Sequence, residues 1–153
     1  MPNDSAKSFL ENTCFVTRLT SKDKHGVLAE LVDLFVSNGV LPASLRDVAL
    51  AALRERETKM STGMELGIAI PHAKIGGLSG MVAGLALASD GIPFESLDKQ
   101  PARIFIVTIS PKHEIGTHVR FLADISQILA SDARRKALLE ATTADEMLKA
   151  LFD

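Results

Sequence analysis

The run from Ile104 to Ile109, IFIVTI, constrains the fold more than any other stretch of the chain. A strand with one face in water alternates apolar and polar residues, because successive side chains point to opposite faces. A continuous β-branched run must instead be covered on both faces, which makes this a central strand with packing layers above and below it. The chain therefore has to supply two coverings. Helical periodicity offers them: Val27, Leu28, Leu31, Leu34 and Phe35 repeat at helical spacing, as do Leu45, Val48, Ala49, Ala52 and Leu53. Beyond the central strand come a stripe of Phe121, Leu122, Ile125 and Leu129, a short helix over Ala133 to Ala141, and a last helix with Met147, Leu148 and Leu151 inward.

Punctuation sharpens the boundaries. Thr20 with Asp23, Ser44 with Asp47 and Thr143 with Glu146 all have capping-box spacing, and Gly39 stops the first helix. Cys14 to Thr20 reads as a strand, as do Leu66 to Ile70 and Val82 to Ala88. Asp90, Gly91 and Pro93 mark a turn, Phe94 to Pro101 a polar connection, and Pro111 ends the central strand. The predicted fold is α/β, a single domain over residues 1–153 with one mixed sheet and helices packed on both faces.

Composition narrows the function classes. With 46% apolar and 24% charged residues the chain has enough aliphatic content for a core. Its formal charge of −2 offers no broad positive field for a polyanion, so nucleic acid is not an expected partner. A membrane helix needs roughly 20 apolar residues, and the longest apolar run is Met81 to Ala88, so no direct membrane insertion is expected. The one cysteine, Cys14, cannot form an internal disulfide, and Met1 to Thr20 carries no signal-peptide pattern, which points to the cytoplasm.

Three polar residues end apolar elements. His72 follows Pro71 at the close of the strand Leu66 to Ile70; His118 lies one turn before Phe121 at a helix start; and one further step of the second helical stripe reaches Arg56. Each has a plain structural reading: a histidine satisfied in place, or an arginine whose stem covers the core while its head reaches water. Together they describe a cleft suited to an anion. An arginine presents planar donors to phosphate oxygens, and a helix start offers free amides. A neutral imidazole is a nucleophile at cytoplasmic pH. Phosphoryl transfer through His72 is the chemistry these groups support, with Ser61, Thr62 and Thr117 as candidate phosphate-loop hydroxyls. Other chemistries lack their marks: His72, His113 and His118 show no HExxH or Cys-pair spacing for a metal, Gly76, Gly77 and Gly80 are not followed by a Walker lysine, and no GxSxG elbow occurs.

The segment RETKMSTGMELGIAIPHAK, Arg56 to Lys74, resembles the active-site signature of the phosphotransferase system enzyme IIA domains of the fructose and mannitol superfamily, including their nitrogen-regulatory branch. GIPFESLDKQP and THVRFLADIS follow in the family's order, so the resemblance covers nearly the whole chain. It implies that His72 accepts phosphate from phospho-HPr or an HPr-like carrier and gives it to an enzyme IIB cysteine, or keeps it as a regulatory mark. It implies further that His118 hydrogen-bonds the phosphoryl group or orients His72, that Arg56 stands beside the active histidine, and that no cofactor is needed. No IIB, IIC or HPr-like sequence is recognisable here, so the partners are expected on separate chains. A binding regulator whose docking is switched by phosphorylation is the alternative. Two positions depart from many relatives: Glu65 replaces a glycine, and Val119 a leucine.

Overall fold

The computed structural model describes residues 14–16, 18–113 and 115–153, with only the backbone described at Val16, Ile115 and Thr117. Five strands form one mixed sheet: β1 (Cys14–Val16), β2 (Ile68–Ala69), β3 (His72–Ile75), β4 (Val82–Ile92) and β5 (Ala102–Pro111). The order is β1, β4, β5, then β2 and β3 together on the far edge of β5. β1 is parallel to β4, β4 antiparallel to β5, and β2 and β3 parallel to β5. Among the described residues the α-helices are α1 (Lys24–Ser37), α2 (Arg46–Lys59), α3 (Ile115–Leu129), α4 (Asp132–Glu140) and α5 (Ala144–Phe152).

The apolar run on β5 does what its composition requires. Phe105, Val107 and Ile109 enter a core shared with α1 and α2, while Ile104 and Ile106 enter a second core shared with α3, α4 and α5. The mixed sheet with helices on both faces is thus built around a central β5. The strand departs from pure hydrophobicity at Thr108 and Ser110, both fully buried and on the α3 side.

Several boundaries differ from the sequence reading. α1 begins three residues later than the Thr20 box implied, because Asp23 is the cap: its Oδ1 accepts from the Gly26 N–H at 2.7 Å. Its end is as expected, with Gly39 at φ +72°, Gly39 N–H donating to the Val36 carbonyl and Val40 N–H to that of Phe35. Ser44 caps nothing; it lies within a single 3₁₀ turn, Ala43–Leu45, that runs into α2. On α2 the buried residues are Ala49, Leu50, Leu53 and Glu57, so the inward face is rotated from the predicted stripe and leaves Val48 51% exposed. Thr143 does cap α5, accepting from the Glu146 N–H, while Glu146 reaches back to the Thr142 N–H.

The largest revision concerns the strand before His72. Leu66 and Gly67 have φ of +64° and +73°, values that place them in a turn closed by Ile68 N–H on the Glu65 carbonyl. The strand therefore starts at Ile68. It also does not end at Pro71. Ile68 pairs with Ile104 and His72 with Thr108 in the same register, so β2 and β3 are one edge strand interrupted where proline has no N–H to give β5. The Pro71 carbonyl still accepts from Thr108 N–H at 3.1 Å, which holds the register across the gap. β4 likewise runs on to Ile92, into the expected turn, through an irregularity between Leu87 and Ile92.

Candidate functional site

His72 opens β3 on the face covered by α3. Its ring is half-buried, and Nδ1 lies 2.8 Å from the Ile70 carbonyl oxygen. A carbonyl can only accept, so Nδ1 carries the proton and the lone pair resides on Nε2. The reason lies in the edge position. Thr108 N–H binds the Pro71 carbonyl, so the polar groups of Ile70 point away from β5, toward the open edge. There the Ile70 N–H donates to the Thr62 carbonyl at 3.0 Å and its carbonyl is left for the imidazole.

His118 stands in the first turn of α3, 8% exposed, with its ring centroid 5.2 Å from that of His72 and the planes tilted by 43°. Its Nδ1 lies 3.0 Å from Thr108 Oγ1, on the residue that pairs with His72 across the sheet. Burial, with lesser contributions from the charges of His72 and Lys74, lowers its pKa from 6.5 to about 4. His118 is neutral at physiological pH.

Arg56 lies at the C-terminal end of α2, half-buried on the shoulder of the helix, and its Nη1 donates to the Met60 carbonyl at 2.6 Å. That bond satisfies a helix-end carbonyl and leaves the other guanidinium donors without a partner among the described residues. α2 covers the sheet face opposite His72, with Leu50 and Leu53 in one core with Ala73 and Ile75.

The loop from Met60 to Gly67 forms a small hairpin against β2. Thr62 carbonyl accepts from Ile70, and Met64 N–H donates to the Ile68 carbonyl at 2.7 Å. Of the three hydroxyls proposed for phosphate, those of Ser61 and Thr62 have occupied protons. Ser61 donates to the Phe94 carbonyl and accepts from Gly63 N–H, and Thr62 donates to the Glu57 carboxylate. These bonds shape the loop. Thr117 belongs to the backbone of α3, and its side chain lies outside the described residues. Glu65 is exposed at the hairpin turn, and Val119 is exposed beside His118.

Two polar residues at the site escaped the sequence reading. Glu57 is 6% exposed, and its signal was available: stepping four residues from Leu53, rather than three, reaches Glu57 instead of Arg56. Thr108 was visible as the lone hydroxyl within IFIVTI, but only the sheet register places it between the histidines. His113 lies exposed in the turn before α3.

The histidine pair, the helix start and the order of elements can be set beside known proteins. The family model for the phosphoenolpyruvate-dependent sugar phosphotransferase system, EIIA 2, matches residues 8–153. The chain belongs to the EIIA 2 family. Among curated relatives, the fructose-specific EIIA component of Haloferax volcanii is 36% identical over 118 residues, covering 77% of this chain and 75% of the relative. The fructose-specific EIIABC component of Bacillus subtilis is 34% identical over 130 residues, 85% of this chain, which spans only 20% of that longer protein. Nitrogen regulatory protein IIA-Ntr from Neisseria meningitidis has the same fold, with a TM-score of 0.84 at 21% identity over 95% of this chain and 97% of that one. So does the mannitol IIA of Escherichia coli in its complex with phosphorylated enzyme IIB, with a TM-score of 0.72 at 17% identity over 90% and 92%. EIIA domains are phosphotransferases that accept a phosphoryl group and pass it on, and the family has sugar-specific and nitrogen-regulatory forms. No helix among the described residues is long and apolar enough to cross a membrane.

Proposed function

We propose that residues 1–153 act as one cytoplasmic IIA unit in which His72 Nε2 is the phosphoryl acceptor. The observation that carries this is the 2.8 Å contact between Nδ1 and the Ile70 carbonyl, which leaves the Nε2 lone pair as the nucleophile. In the transfer, Nε2 forms a bond to phosphorus as the N–P bond of an HPr-like phosphohistidine breaks, and the donor nitrogen takes back its electron pair. The His72 ring gains positive charge as this happens, and the Ile70 carbonyl faces its Nδ1–H throughout. Onward transfer breaks the Nε2–P bond as a cysteine thiolate of an enzyme IIB attacks phosphorus. Where no IIB receives it, the phosphate stands as a regulatory mark of the nitrogen type, changing the charge offered to a docking partner.

The neighbours have distinct parts. A neutral His118 that accepts the Thr108 hydroxyl proton at Nδ1 bears its own proton on Nε2, which makes it a donor to phosphoryl oxygens. Arg56, whose guanidinium holds the Met60 carbonyl and no other partner among the described residues, is the cation that the family resemblance assigns to the transferring group. Exposed apolar residues support a protein rather than a small molecule as phosphate donor and acceptor. Met64 and Leu66, 43% and 52% exposed, border a groove of about 360 Å³ that also takes in Ile70, Leu97, Ile125 and Leu129.

Incubation with phosphoenolpyruvate and the general phosphotransferase proteins is expected to add one acid-labile phosphate, carried on Nε2. His72→Ala is expected to abolish it, and label persisting in that variant would refute the assignment. His118→Ala is expected to take up phosphate slowly.

A further inference from the structure

We propose that Glu57 is a positioning residue for His72, acting through Thr62 and Ile70 to keep the proton on Nδ1. The inference rests on the reading of His72 as nucleophile and adds the group that prepares it.

Glu57 is a buried carboxylate, and burial of a charge is costly unless hydrogen bonds compensate. Its compensation is directional. Oε1 accepts from the Thr62 N–H at 2.6 Å and from the Thr62 hydroxyl at 2.8 Å, and Oε2 lies 3.1 and 2.9 Å from the same donors. Lys24 Nζ stands 3.8 Å from the carboxylate, itself held over the Phe94 ring at 4.9 Å and 3.4 Å from Glu95. Both protons that Thr62 can give are thus committed to one rigid acceptor at the end of α2.

This fixes the Thr62 carbonyl, which takes the Ile70 N–H at 3.0 Å. The Ile70 carbonyl, on the same exposed side of the strand, then meets His72 Nδ1. The chain of contacts runs Glu57, Thr62, Ile70, His72, and each link is a hydrogen bond of 3.0 Å or less. The edge position makes the linkage matter. Because β2 and β3 lie at the sheet edge, the Ile70 N–H and carbonyl point away from β5 and the loop holds this outer side, while the Pro71 carbonyl pairs with Thr108 on the inner side. Gly63 shows how closely that loop is seated: a Cβ there would come within 2.9 Å of Ser96 Cα and 3.1 Å of the Phe94 carbonyl.

Removing the Glu57 acceptor frees both Thr62 donors to seek water, releases the Ile70 N–H and lets the Ile70 carbonyl leave the imidazole. His72 then exchanges its proton between the two nitrogens, and the fraction with Nε2 bare falls. The test is long-range ¹H–¹⁵N correlation on histidine-labelled protein, compared among wild type, Glu57→Ala, Glu57→Gln and Thr62→Val. Wild type is expected to show a single His72 tautomer with Nδ1 protonated, and Glu57→Ala a mixture. Glu57→Gln, which keeps an acceptor for the Thr62 N–H, is expected to restore most of the wild-type signal. Phosphate uptake by Glu57→Ala is expected to fall roughly tenfold in kcat, with KM for the donor protein within about twofold. If Glu57→Ala does not fold, Thr62→Val decides, since it removes only the hydroxyl link and is expected to shift the tautomer in the same direction. A folded Glu57→Ala, or Thr62→Val in its place, whose His72 stays in the Nδ1–H tautomer would overturn the proposal. The spectrum needs no phosphoryl donor, so this failure is distinct from that of the carrier reading, which His72→Ala tests.

Discussion

Thr108 Oγ1 lies 3.0 Å from His118 Nδ1 on a strand position fully shut off from solvent, so neither atom has water as a substitute partner. Thr108→Val keeps the shape and deletes the hydroxyl, leaving a buried ring nitrogen unpaired. Such a loss costs about 1–3 kcal/mol, and urea unfolding is expected to show it. Thr108→Ser, which retains the hydroxyl, is expected to cost less. Arg56 and Glu57 show how sharply one residue of helical offset matters. The first reaches half into solvent and holds the Met60 carbonyl, while the second is buried and holds Thr62. Helical periodicity brought the reading to this turn of α2, but a step of three or of four residues fits a stripe equally well.

At the scale of elements, the hairpin from Thr62 to Ile70 closes the edge of β2 and ties it to the Phe94–Pro101 connection. Leu97 N–H donates to the Gly63 carbonyl at 3.2 Å, and Leu66 N–H to Asp98 Oδ2 at 3.2 Å. Gly63→Ala puts a methyl group against the Ser96 backbone and hydroxyl, where a flexible side chain could not simply turn aside. It is expected to destabilise the fold by about 1–3 kcal/mol, read as a lower melting temperature, and to loosen the clasp over the hairpin. In the sequence Pro71 marks a strand end, since proline cannot donate to a ladder. On an edge strand, however, the register survives one missing donor, because the proline carbonyl still pairs. That is a property of the neighbouring strand and is invisible in the local sequence.

Over the whole molecule, His118 couples protonation to folding. Its pKa is about 4 in the fold against 6.5 unperturbed, so between those values the unfolded chain binds the proton that the folded chain refuses. This contribution to stability is complete above about pH 6.5 and is lost as pH falls toward about 4, by up to about 3 kcal/mol. His118→Gln is expected to flatten the fall in unfolding free energy across that window, measured by denaturant titration at several pH values. The layered plan was legible in advance, because a continuous apolar strand between amphipathic segments has one economical solution, a sheet covered on both faces. The meeting of His72 and His118, whose rings lie 5.2 Å apart, was legible for a similar reason, since each stands where an apolar pattern stops. Composition and periodicity did not disclose the partner atoms. The proton on Nδ1 of His72 depends on which way the Ile70 carbonyl points; the neutrality of His118 depends on burial against β5; and the partners of Glu57 come from a loop that folds back after the helix ends. Hydrophobic pattern acts through the period of a single element and is written in that element's own residues. Hydrogen-bond partners and desolvation arise only where separate elements meet, so for this chain the tertiary structure alone decided which nitrogen of His72 faces the Ile70 carbonyl and which is left without that bond.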